Sequence, residues 1–88
     1  MHTIFYNEVR SKILEGDKVE LQNRVKELRA RFNLTQEMLA VQVGVTRQTI
    51  ASIEKGDYTP SLLLALKICE VFHSKMEDIF WLGESEVK

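Results

Sequence analysis

Arg47, Gln48, Ser52 and Lys55 place four hydrogen-bonding or cationic side chains within nine residues of an 88-residue chain. If those residues form a helix at ~100° per residue, with Arg47 at zero, then Ala51, Lys55, Gln48 and Ser52 fall at roughly 40, 80, 100 and 140°. The five share one face. Ile50 and Ile53 fall at about 300 and 240° on the opposite side, so the helix is held by two isoleucines and presents a polar ridge outward. Arg, Gln and Ser are side chains that hydrogen-bond base edges and phosphates, and a lone helix has the width of the DNA major groove. Thr49, near 200°, is placed less favourably and touches phosphate or nothing.

A ridge of this kind needs a rigid mount. Residues 35–55 supply two short helical patterns hinged on Gly44. Thr35 caps the first, Glu37 stands near its positive end, and Met38, Leu39 and Val43 are spaced to lie on its inner side. Gly44 stops that helix in the left-handed conformation that glycine adopts without steric cost. Val45 then turns inward to plug the corner, and Thr46 caps the second helix.

Gln36, Ala40, Gly44, Val45, Ile50 and Ile53, followed by Ile-Glu-Lys-Gly from Ile53 to Gly56, resemble the Cro/C1-type helix-turn-helix repressors. The resemblance implies an all-α fold, a compact five-helix domain like that of lambda repressor. It also implies a short two-stranded pairing of residues near 19–21 with residues near 80–82. As DNA contacts it points to Gln36 and nearby backbone amides on a phosphate, to Arg47, Gln48, Thr49 and Ser52 in the groove, and to Thr46 and Lys55 on the backbone. An arginine in the place of Arg29 reaches the family's glutamate, here Glu54, and ties the first helix to the recognition helix. Compact members begin near what is here Leu21, so residues 1–18 lie outside the resemblance.

The net charge of −1 would argue against a nucleic-acid partner if it were evenly spread. It is polarised instead, at +3 over residues 22–55 and −3 over residues 56–88. Length allows one core, and 44% hydrophobic residues suffice to fill it without disulfide or metal. The one cysteine, Cys69, sits in an apolar helical pattern and reads as a buried thiol. No apolar run approaches ~20 residues and no secretion signal is apparent, so a cytoplasmic location is expected.

Three divisions are expected along the chain: an extension over 1–18, the domain over 19–82 and a polar tail over 83–88. Ile4, Phe5, Val9, Ile13 and Leu14 make the extension either a short amphipathic helix or disordered chain. The first helix of the domain is expected from Asn23 to Phe32, with Val25, Leu28 and Phe32 inward and Asn33 as a left-handed cap. Thr59-Pro60 is read as the start of a long helix, with Pro60 in its first turn. Its packing face is expected to comprise Leu62, Leu63, Leu66, Cys69, Val71 and Phe72. Ser74 and Glu77 have the spacing of a capping box for a last helix, and His73 that of a residue complementing a helix C-terminus.

The run Ile79, Phe80, Trp81 and Leu82 is too apolar to be left in water and is assigned to a dimer interface, with Phe80 turned inward and Trp81 toward the partner. The leading reading is a dimeric regulator, a repressor on palindromic double-stranded DNA. The alternative is an antitoxin-like module that binds its own promoter and a toxin, with residues 1–18 as the toxin contact. An enzyme is not expected. The chain has no Gly-rich phosphate loop, no metal-ligand spacing and no paired nucleophile and base, and no cofactor or metal is implied.

Overall fold

A computed structural model describes residues 19–84. Strand β1 (Val19–Asn23) leads into α1 (Val25–Arg31), α2 (Gln36–Val43), α3 (Arg47–Lys55), α4 (Leu62–Val71) and α5 (Met76–Ile79), and β2 (Phe80–Glu84) closes the described chain. The strands pair antiparallel, Val19 opposite Glu84 and Asn23 opposite Phe80. Five helices and a two-stranded sheet therefore match the expected architecture. The expected extension over 1–18, with the toxin contact assigned to it, lies outside the described residues. Gly83 and Glu84, expected in the tail, belong to β2.

Helix boundaries follow local chemistry. The Thr35 hydroxyl accepts the Met38 N–H at 3.0 Å, and Gly44 ends α2 at φ 78°. The same left-handed turn ends α3 at Gly56, and Asn33 and His73 adopt it after α1 and α4. His73 is thus a turn residue just beyond the helix rather than part of its last turn.

Three expected starts are corrected. Asn23 belongs to β1 and not to α1, and its side-chain oxygen accepts the Val25 N–H at 3.0 Å from outside the helix. Helix α4 begins at Leu62, not at Pro60, because the Ser61 hydroxyl accepts the Leu64 N–H at 3.1 Å. No capping box opens α5. Lys75 takes the cap position, and Ser74 spends its hydroxyl donating to the Phe72 carbonyl at 2.9 Å.

One core joins all five helices to the two-stranded sheet. Val25, Leu39, Ile50, Ile53, Ile68, Phe72 and Ile79 are its largest fully buried side chains. Phe32 is partly exposed, but its ring meets Phe72 edge-on at 5.2 Å. Met38, expected inside, is exposed, because α2 buries Leu39, Ala40 and Val43 and turns the neighbouring position away. Leu62, Leu63 and Leu66 are exposed as well. They share a side of α4 with the exposed Lys67 and Glu70, whereas Leu64, Ala65, Ile68 and Cys69 occupy the face that packs.

Candidate nucleic-acid interface

Helix α3 is the element on which the ridge stands. The Thr46 hydroxyl accepts the Thr49 N–H at 3.2 Å at its start, and Gly56 ends it at φ 87°. Ile50 and Ile53 are buried beneath it. Arg47, Gln48 and Lys55 are exposed, while Ala51 and Ser52 are half-buried between them. Gln48 donates from Nε2 toward the Ser52 hydroxyl at 3.5 Å, a long contact that inclines both polar groups along one line. The predicted ridge is therefore present as one surface.

Thr49 differs from the others. It is half-buried, and its hydroxyl lies 3.1 Å from the Thr46 hydroxyl, so it completes the cap rather than extending the ridge. That position agrees with its angle on the wheel. Thr46 itself is exposed at the helix start.

A second group of side chains fixes how α3 sits on the domain. The Glu54 carboxylate accepts from Arg29 Nε at 2.6 Å and Arg29 Nη2 at 3.1 Å, a two-point grip between α1 and α3. Gln36, at the start of α2, donates to the same carboxylate from Nε2 at 3.1 Å. Arg29 Nη1 also donates to the Leu34 carbonyl at 2.9 Å. Only 15% of the Arg29 side chain and 5% of the Glu54 side chain are exposed, which makes this pair more than a surface ion pair. Gln36 was expected on a phosphate; its amide nitrogen already serves Glu54 with one N–H, and one remains.

Asn23 holds α3 one residue before Glu54, and sequence reasoning missed it. Its Nδ2 donates to the Ile53 carbonyl at 3.0 Å while its oxygen serves Val25. An asparagine before a helix is a visible capping signal. Its partner lies thirty residues away, and no local spacing discloses that contact.

The C-terminal run divides. Ile79 and Phe80 are buried in the subunit's own core and are removed from any interface, because Ile79 ends α5 against that core and Phe80 starts the strand beside it. Trp81 and Leu82 remain outward at 39% and 66% exposure, and the Arg24 guanidinium lies 4.8 Å from the centre of a Trp81 ring. Among the described residues no cluster of His, Cys, Asp and Glu is arranged to hold a metal, and no helix is long and apolar enough to cross a membrane.

Against known proteins, a helix-turn-helix family model matches residues 25–79. The chain is 70% identical over 64 residues to YgzD, an uncharacterised HTH-type transcriptional regulator of Bacillus subtilis; this spans 73% of the chain and 97% of YgzD. An uncharacterised HTH-type transcriptional regulator of Archaeoglobus fulgidus is 57% identical over 67 residues, covering 76% of the chain and 94% of the relative. Among solved structures, the restriction-modification controller protein C.AhdI of Aeromonas hydrophila superposes with a TM-score of 0.58 at 30% identity, over 61% of this chain and 82% of C.AhdI.

Proposed function

The chain belongs to the Cro/C1-type helix-turn-helix family of DNA-binding transcriptional regulators, and on that premise we propose that it is a cytoplasmic repressor that occupies a palindromic operator as a homodimer. The observation that carries this reading is the division of α3. Its Ile50, Ile53 and Glu54 are committed to the domain, which leaves Arg47, Gln48 and Lys55 exposed to a groove. Arg47, Gln48 and Ser52 are the proposed base readers, and Thr46, Lys55 and Gln36 the proposed phosphate contacts, with Thr49 confined to supporting Thr46.

Dimerisation follows from a shortage. One recognition helix reads only a few base pairs, whereas a two-fold dimer doubles the readout and sets two helices about one DNA turn, ~34 Å, apart. Trp81 and Leu82 are the proposed contact, on β2 and in the acidic half of the sequence. Repression then needs nothing more than occupancy.

Selection of bound sites from random duplex DNA tests the reading. Recovery of a palindrome with half-sites about one turn apart is the expected result. Recovery of a single unrepeated half-site would remove the dimer, and no enrichment over the starting pool would remove operator binding.

A further inference from the structure

Helix α3 is tied to the domain at two neighbouring residues by different means. Glu54 is held through its side chain by Arg29 and Gln36, and Ile53 through its backbone carbonyl by Asn23. We propose that Asn23 is a positioning residue for DNA reading, which fixes the angle between the recognition helix and the β1–β2 sheet. The proposal rests on the reading that α3 enters the groove.

Three features support it. Asn23 is the last residue of β1, opposite Phe80, and the next residue's N–H donates to the Ile79 carbonyl at 3.0 Å, so its backbone is locked to the start of β2. Its amide then spends both ends on separate elements, accepting from the first turn of α1 and donating to the last turn of α3. The Ile53 carbonyl it reaches also accepts the Gly56 N–H at 3.0 Å, the contact that closes α3. A half-buried amide thus joins sheet, α1 and recognition helix at one point. A tilt of α3 away from the β1–β2 sheet strains the Asn23 contact, and it moves Arg47 at the far end most. Base readout, which depends on hydrogen-bond geometry, is more sensitive to such a tilt than phosphate attraction is.

Asn23→Asp and Asn23→Ala separate the two halves of the amide in the full chain. Aspartate retains an oxygen for the Val25 N–H but has no donor for Ile53, whereas alanine loses both contacts. The main readout is the ratio of affinities for the selected duplex and for a scrambled duplex of equal composition at matched salt. The added charge of aspartate weakens both duplexes alike and cancels in the ratio. Both variants should lose discrimination by about three- to tenfold, the range of one net hydrogen bond, at a temperature at which their melts show them folded. Amide exchange provides a readout without DNA: Gly56 should exchange faster in both variants. A purely structural Asn23 would change only the folded fraction, so the folded variants would keep the wild-type ratio. That outcome, or unchanged Gly56 exchange in Asn23→Asp, overturns the assignment to Asn23 alone. A wild type that does not discriminate between the duplexes overturns operator reading itself.

Discussion

Arg29 and Glu54, twenty-five residues apart, meet through two hydrogen bonds of 2.6 and 3.1 Å with little of either side chain in water. Because the pair is nearly enclosed, removing one partner strands the other with only neutral donors or acceptors nearby. Arg29→Ala should cost about 3 kcal/mol of stability, against under about 1 for an exposed ion pair. A double-mutant cycle with Glu54→Ala checks the contact itself. Coupling of about 1 to 3 kcal/mol is expected, and additive losses would mean the two residues stabilise the domain separately.

Arg47 and Lys55 sit at opposite ends of α3 and should fail in different ways. Arginine grips a guanine edge with two hydrogen bonds, so Arg47→Ala should cost about 1 to 3 kcal/mol on the selected operator and little on scrambled DNA. Lys55→Ala should weaken both and reduce the salt dependence by about one phosphate contact. Titrations of the two duplexes at several salt concentrations distinguish these outcomes.

The start of α4 makes a smaller, sharper claim. Ser61→Ala removes the hydroxyl that accepts the Leu64 N–H and should cost about 1 kcal/mol in thermal or denaturant melts. Thr59→Ala, one residue before Pro60, should change stability by less than about 0.5 kcal/mol, as surface substitutions do. Equal losses would return the cap to Thr59.

Trp81 and Phe80 are adjacent in β2 yet face opposite fates. Phe80→Ala opens a cavity in the core and should destabilise the subunit by about 3 to 5 kcal/mol. Trp81→Ala should leave the fold intact but weaken self-association by about 2 kcal/mol or more, as loss of an aromatic interface residue does. Sedimentation at micromolar concentration beside thermal melts reads both effects. A monomeric wild type would remove the dimer contact on β2.

Those four cases also mark how far sequence reaches. Gly44, Thr46, Ile50 and Ile53 were legible because capping, left-handed turns and helical spacing are local, and the resemblance placed the Arg29–Glu54 pair. Leu62, Leu63 and Leu66 were misplaced because their size suggested burial, whereas Lys67 and Glu70 on the same side mark it as the outward face of α4. Asn23 was read as a helix start because its capping chemistry is local, while its bond to Ile53 exists only after the chain has folded back. Ser61, one residue past Pro60, shows the ordinary limit at element ends. Competing caps lie side by side, and the backbone selects between them.

The nine residues of α3 separate holding from reading: buried isoleucines, Glu54 and a backbone carbonyl attach the helix, while Arg47 and Gln48 bear none of that attachment. Exchange of Arg47 or Gln48 therefore leaves the fold nearly indifferent, since exposed helix positions change stability by only about 0.5 kcal/mol. An operator preference can drift, or be rewritten by grafting new outward residues, without first restoring stability. A duplicated copy of this gene is free to acquire a different target by point substitution, while the attachment residues stay under the tighter constraint of folding.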